Sequence, residues 1–107
     1  ELQSRFAKKH GVVVVLKGAH TSVATPEGYI YFNSTGNPGV AKGGSGDVLT
    51  GVLTALLAQG YTPARAAAIG VYIHGTAGDL AAEQLSQTGM IASDIVAHLP
   101  KAFKQFE

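Results

Sequence analysis

Apolar residues begin the chain at a helical spacing and then run together. Leu2 and Phe6 stand four positions apart, and basic residues precede Gly11, an order typical of a helix that ends at a glycine cap. Residues 12–16 read VVVVL, a β-branched run typical of a parallel strand covered on both faces. Because the chain has no second run of this kind, we interpret it as part of a larger fold.

Two short β-forming segments follow this run. Residues 21–24 and 29–33 flank the turn sequence Pro-Glu-Gly at 26–28, and this arrangement predicts a β-hairpin. Further along, residues 47–59 carry apolar side chains at i, i+1, i+4 and i+5, which predicts a helix ended by Gly60.

Two more helices complete the predicted order. Thr62 suits an N-cap and Pro63 the first helical position, so together they predict the start of a long alanine-rich helix. Ser93 and Asp94 are predicted to cap a last helix, which Pro100 bends or restarts.

The composition indicates a globular interior with few charges. Of the 107 residues, 46% are hydrophobic and only 14% charged, so we expect apolar surface that a partner subunit or a missing part of the same fold covers. The net charge of +1 is scattered, and no nucleic-acid or membrane-binding face stands out. The absence of cysteine excludes disulfides and thiolate chemistry, fits a reducing compartment, and leads us to expect a cytoplasmic protein.

The richest chemistry lies in residues 36–51, GNPGVAKGGSGDVLTG, which we call the glycine segment. Glycines before a helix expose backbone N–H groups at the positive end of the helix dipole, which suits an anion such as phosphate. A P-loop is excluded because Ala41 and Gly43 stand where it needs glycine and a hydroxyl residue; a dinucleotide fingerprint fails at Leu49. The alternative is a surface turn that caps a helix.

Asp47 and Lys17 are the candidate reactive groups. Asp47 is either an acid that stabilises a helix start or a general base that takes a proton from a hydroxyl during phosphoryl transfer, with glycine amides stabilising the transferred charge. Lys17 follows the predicted strand in a KGxxT sequence and contacts either phosphate or solvent.

Three residues of the long helix are weak candidates for metal ligands. His74, Asp79 and Glu83 stand at near-helical spacing, but the five-residue step from His74 to Asp79 leaves the shared face. We therefore interpret these residues as helix packing and capping groups, and predict no metal site.

Four stretches in the same order resemble the ADP/ATP-dependent NAD(P)H-hydrate dehydratase family of the ribokinase-like superfamily. They are the glycine segment, LKGAHT at 16–21, HGTAGDLAAE at 74–83 and ASDIVAHLP at 92–100. The chain differs from the family pattern at Val40, where methionine is frequent, and at Lys42, where threonine is frequent.

The resemblance implies an α/β fold, with residues 1–107 as one C-terminal fragment of a three-layer αβα ribokinase-like domain. It implies repair of hydrated NADH or NADPH: the ring hydroxyl is phosphorylated from ADP or ATP, with Mg²⁺ bridging phosphates, and phosphate is then eliminated. The implied partners are hydrated NADH or NADPH, an adenine nucleotide, and either further copies in a homo-oligomer or the missing N-terminal part.

The resemblance also assigns roles to residues. Asp47 matches the catalytic base and is also an implied substrate contact. Asn37 is a second implied substrate contact. The implied anion hole consists of Gly43, Gly44, Ser45 and Gly46, and the implied nucleotide site consists of Lys17, Gly18, Ala19, His20, Thr21 and Gly46. Two alternatives stay open: a small-molecule kinase of the same superfamily, acting on hydroxymethylpyrimidine or a sugar, and a non-catalytic nucleotide-binding or assembly module.

Overall fold

A computed structural model describes residues 2–18 and 21–107, so Glu1, Ala19 and His20 lie outside the described residues. The elements follow the predicted order of helix, strand, hairpin and helices, and the α/β assignment is confirmed. They are α1 (Leu2–His10), β1 (Val14–Leu16), β2 (Ser22–Ala24), β3 (Ile30–Phe32), a 3₁₀ turn (Pro38–Val40), α2 (Ser45–Ala58), α3 (Pro63–Leu85) and α4 (Ala92–Phe106).

The three strands form one antiparallel sheet in the order β1-β2-β3. Val15 pairs with Val23 and Val23 with Tyr31, so the predicted hairpin is confirmed, with shorter strands than expected. The predicted strand at 12–16 is shorter than expected, since only Val14–Leu16 form it, and its expected parallel neighbour stays a prediction because β1 is an edge strand of the described sheet. Its one partner among the described residues is β2, and that pairing is antiparallel. The short connection at 17–21 explains this, because a parallel partner needs a crossover of about a dozen residues or more.

Helix starts agree with the prediction at one helix and differ at two. In α3 the Thr62 hydroxyl accepts the Arg65 N–H at 3.4 Å, which confirms the predicted cap. Helix α2 begins at Ser45, two residues before the predicted start, so Asp47 lies inside its first turn. The extra residues are helical because the left-handed Gly44 reverses the chain just before them.

At α4 the predicted serine cap is wrong. The helix begins at Ala92 after an Ile91 N-cap, and the Asp94 carboxylate accepts the Ile91 N–H at 2.8 Å. Asp94 therefore stabilises the start from within the first turn, as in half of a capping box. Pro100 lies inside α4, and the helix continues through it to Phe106. Both Pro100 and Val96, whose carbonyl loses a donor at the proline, are exposed.

Helix α3 is the centre of the molecule. Its buried face packs on α4 around Ile73, Met90 and Ile95. A second cluster, which includes Val23 and Leu49, joins the sheet to α2 and α3. The long buried helix thus holds the sheet, the glycine segment and α4 in one arrangement.

Large apolar side chains stay exposed on α1 and β3. Leu2 is 78% exposed, Phe6 53% and Phe32 74%. The expectation of uncovered apolar surface in this chain alone is confirmed. Within residues 2–18 and 21–107, no helix combines the length and the apolar character needed to cross a membrane.

Candidate active site

A cleft of about 770 Å³ opens between the end of β1, the segment after β3, and helices α2 and α3. Its lining includes Lys17, Thr21, Asn37, Ser45 and His74. Of the predicted anion hole, only Ser45 lines this cavity, whereas Gly43, Gly44 and Gly46 do not. Residues of the predicted nucleotide site, the substrate site and the anion hole thus reach one cavity. They come from four separate parts of the chain.

Backbone N–H groups are concentrated at the start of α2. Gly44 is the N-cap, with φ of 90° in the left-handed region that favours glycine. The Ser45 N–H donates to the Lys42 carbonyl at 3.0 Å, whereas no acceptor within the described residues contacts the N–H of Gly43, Gly44 or Gly46. Three of the four predicted anion-hole residues therefore keep a free N–H group, and Ser45 can contribute only its hydroxyl.

Lys17 places its charge beside this helix start. A Cβ added to Gly46 would lie 2.8 Å from Lys17 Nζ, so the ammonium rests directly against the α2 backbone. The cation and the free N–H groups share one small region, as a phosphate site requires. Gly18 and Thr21 also line the cleft, and the predicted contacts of Ala19 and His20 fall outside the described residues.

Asn37 has a structural role in addition to its place in the cleft. Its Oδ1 accepts the Gly39 N–H at 2.9 Å, and its Nδ2 donates to Asp79 Oδ1 at 2.8 Å. The other oxygen of Asp79 accepts the Gly36 N–H at 3.0 Å. A carboxylate of α3 thus holds the first residues of the glycine segment. This is a packing contact from inside α3, whose caps are Thr62 and Ser86, so the capping role expected for Asp79 is wrong.

Two further residues that the sequence analysis missed bind the stretch just before the glycine segment to α3. Asn33 Nδ2 donates to the Val71 carbonyl at 3.2 Å, and Thr35 Oγ1 donates to the Tyr72 carbonyl at 3.0 Å. A Cβ on Gly75 would collide with Thr35, so glycine is required for this close approach. The signal available in the sequence was the series of small residues along α3.

His74 is a buried histidine beside the glycine segment. Its Nε2 lies 3.1 Å from the Ser45 carbonyl oxygen and 3.3 Å from Ser45 Oγ. Burial lowers the pKa of His74 below its ordinary value of 6.5; the Lys17 ammonium acts in the same direction, and the hydrogen bond to Ser45 opposes both. The expected packing role of His74 is confirmed, and its contact with the predicted anion hole is new.

This histidine makes stability depend on pH. Since the folded pKa is lowered, the unfolded chain binds more protons below about 6.5, and the free energy of unfolding is expected to fall as pH drops through this window. The His74→Gln variant keeps an N–H donor without titrating, so its unfolding free energy should lose less between pH 7.5 and 5.5. Urea unfolding at both pH values measures this difference. Equal losses in the two proteins would contradict the prediction.

The predicted base lies at the edge of this arrangement. Asp47 is exposed in the first turn of α2 and does not line the cleft. Within residues 2–18 and 21–107, no group of three or more His, Asp or Glu side chains is placed to hold a metal ion. These side chains therefore do not form a protein cage for Mg²⁺.

Comparison with known proteins gives one family. The sequence model of NAD(P)H-hydrate dehydratase matches residues 1–101. The chain is 48% identical over 107 residues to the bifunctional NAD(P)H-hydrate repair enzyme Nnr of Moorella thermoacetica, and covers 20% of that protein. It is 36% identical over 107 residues to the ADP-dependent (S)-NAD(P)H-hydrate dehydratase of Bacillus subtilis, and covers 39% of it.

A solved structure shows the same fold. The ADP/ATP-dependent NAD(P)H-hydrate dehydratase of Bacillus subtilis, co-crystallised with ATP and Mg²⁺ and soaked with CoA, superposes with a TM-score of 0.93 at 36% sequence identity. The match covers 99% of this chain and 39% of that one. The chain thus spans well under half the length of the relatives it matches. The family match, the identities and the fold agree, and the chain belongs to the NAD(P)H-hydrate dehydratase family.

Proposed function

We propose that the protein restores NADH and NADPH from their hydrated forms in a reaction that consumes ADP or ATP. The observation that carries this proposal is the set of free N–H groups at the start of α2 with the Lys17 ammonium beside it. Lys17 and Ser45, which flank these groups, also line a cleft of about 770 Å³. A phosphoryl group fits such donors, and the relatives are named for ADP-dependent hydrate dehydration.

Each part of the site has a role in this reaction. Asp47 takes the proton of the ring hydroxyl as its oxygen attacks the terminal phosphorus of the nucleotide, and the bond from that phosphorus to the departing nucleotide breaks. Gly43, Gly44 and Gly46 donate their N–H groups to the oxygens of the transferred phosphoryl group. Phosphate then leaves with the electrons of its bond to the ring carbon, and the neighbouring carbon loses a proton to water, which restores the double bond of the dihydronicotinamide ring.

The remaining residues hold the two substrates. Lys17, Gly18 and Thr21 bind the nucleotide, together with Ala19 and His20 of the same stretch. Asn37, braced by Asp79, forms the substrate side of the cleft. Mg²⁺, when it accompanies the nucleotide, neutralises phosphate charge, and no step here depends on side-chain ligands for it. The proposal includes a cytoplasmic location and a homo-oligomer or a complete domain that covers the exposed apolar surface.

The reaction itself provides the test. The complete protein is incubated with hydrated NADH and ADP, then with ATP, and the return of NADH absorbance is followed. We expect nucleotide-dependent recovery, with no recovery when the nucleotide is omitted. Failure of both nucleotides would overturn the dehydratase function.

The contact between Lys17 and Gly46 gives a further prediction. In Gly46→Ala the new methyl group would lie 2.8 Å from Lys17 Nζ, too close for an ordinary contact, so the flexible lysine must move away. We expect ADP affinity to fall about tenfold, the value of one charge-assisted contact, without loss of folding stability because alanine favours helices. Isothermal titration calorimetry measures the dissociation constant.

Lys17→Met tests the cause of that loss. It should weaken ADP binding to a similar extent, and the double variant should bind no more weakly than either single variant, because all of them remove the same contact. Lys101→Met, on the exposed face of α4, is the control and should bind ADP normally. Unchanged affinity in Gly46→Ala would show that the lysine does not contact the nucleotide.

A further inference from the structure

His74 on α3 contacts Ser45, one residue of the predicted anion hole. It is 6% exposed, and its Nε2 faces both the carbonyl and the hydroxyl oxygen of Ser45, at 3.1 and 3.3 Å. Both residues line the cleft. A buried imidazole is therefore in direct contact with the first residue of α2, the helix whose start offers the free N–H groups.

The carbonyl determines which ring nitrogen carries the proton. A carbonyl oxygen can only accept, so the 3.1 Å contact requires a proton on His74 Nε2. The other neutral tautomer would place the Nε2 lone pair against the carbonyl oxygen at this distance, an unfavourable contact in a buried position even if the Ser45 hydroxyl donated to Nε2. The surroundings thus select the neutral ring with hydrogen on Nε2.

This choice determines what the Ser45 hydroxyl can do. Because Nε2 is a donor, Ser45 Oγ can accept from it but cannot give it a proton. The Ser45 N–H is already bound to the Lys42 carbonyl, and no acceptor within the described residues takes the hydroxyl proton. We propose that His74 is a positioning residue that keeps the Ser45 hydroxyl as a hydrogen-bond donor toward the cleft, where it binds a phosphoryl oxygen of the nucleotide.

The lining of the cleft favours an anion as the acceptor. Among the described lining residues there are two lysines, Lys17 and Lys42, and no carboxylate. A hydroxyl donor next to free N–H groups and cations suits a group that has several acceptor oxygens, which a phosphoryl group provides. The inference rests on the proposed nucleotide-binding role of the cleft.

The tautomer can be observed directly. Long-range ¹H–¹⁵N correlation spectra of the ¹⁵N-labelled complete protein at pH 7.5, with His74→Gln used to assign the signal, distinguish the two neutral forms. We expect the form with hydrogen on Nε2. A His74 ring with hydrogen on Nδ1 would overturn the proposal, because Ser45 would then donate to the histidine.

Binding measurements test the consequence for the nucleotide. Ser45→Ala and His74→Leu should each weaken ADP binding about tenfold, and the double variant should bind no more weakly than Ser45→Ala, because His74 acts through that hydroxyl. His74→Gln, which keeps a donor near the Nε2 position, should retain most of the affinity. Additive losses, or a glutamine variant as weak as the leucine variant, would contradict the proposal.

Two features keep this test separate from the proposed function. If His74→Leu fails to fold, the spectra and His74→Gln still decide the inference. If the parent protein binds ADP with the expected variant pattern but does not restore NADH, the dehydratase function fails and the role of His74 stands. If it restores NADH and the variants bind ADP normally, only the inference is overturned.

Discussion

Replacing Asp47 by asparagine is expected to lower kcat for hydrate dehydration by about 10²–10⁴-fold, the usual contribution of a general base. The amide has the size of the carboxylate but cannot take the hydroxyl proton. Asp47 is exposed in the first turn of α2 and has no hydrogen-bond partner within the described residues, so the change removes charge without disturbing packing. Steady-state kinetics with hydrated NADH and ADP, with calorimetry for ADP binding, measure the effect.

The affinity for ADP distinguishes a catalytic role of Asp47 from a structural role at the start of α2. The dissociation constant for ADP should stay nearly unchanged in Asp47→Asn. Glu27→Gln, which removes an exposed carboxylate in the hairpin turn, is the charge control and should keep full turnover. If Asp47→Asn loses ADP affinity as strongly as kcat, the carboxylate holds the helix start and is not the base.

Local signals predicted the elements well. Thr62 and Pro63 gave the start of α3, the turn at 26–28 gave the hairpin, and the glycine segment gave the exposed N–H groups before α2. Each of these depends on residues a few positions apart, where backbone sterics and caps act directly.

The partners of each element were harder to predict. The β-branched run at 12–16 predicted a strand covered on both faces, but its residues are half-buried or exposed in this chain. The pattern contains no information on strand direction, and the short connection to β2 determines the antiparallel pairing with it. Likewise, α2 begins two residues before the predicted start, after the left-handed Gly44, and Asp94 caps α4 from within its first turn while Ser93 does not.

The sequence predicts which residue types form the candidate site, but it did not predict the residues that hold them in place. The donors of the glycine segment and Lys17 follow from residue type, but Ser45 meets His74 across 29 positions and Asn37 meets Asp79 across 42. Both supporting residues lie on α3, the helix that also binds Thr35 through a backbone carbonyl. Helix α3 therefore holds the glycine segment in place. A substitution on α3 should alter the shape of the cleft even where the substituted residue contacts no ligand.

Gly75→Ala tests the close contact between α3 and Thr35. The added Cβ would collide with the Thr35 side chain and lie 2.8 Å from its backbone carbonyl carbon. Thr35 cannot withdraw freely, since its hydroxyl donates to the Tyr72 carbonyl at 3.0 Å. We expect the free energy of unfolding to fall by about 1–3 kcal/mol, the usual cost of overpacking, although alanine favours helices.

Gly51→Ala is the matched control. Gly51 is exposed within α2, and its added Cβ meets nothing within 4 Å. Here we expect stabilisation by about 1 kcal/mol, because only the helix preference changes. Urea unfolding of both variants and the parent gives the two free-energy differences. ADP titration shows whether the displacement of Thr35 also lowers the affinity of the cleft for ADP. Equal stabilisation at both positions would mean that Thr35 yields to α3, and that the glycine segment is held by Asp79 and His74 without this contact.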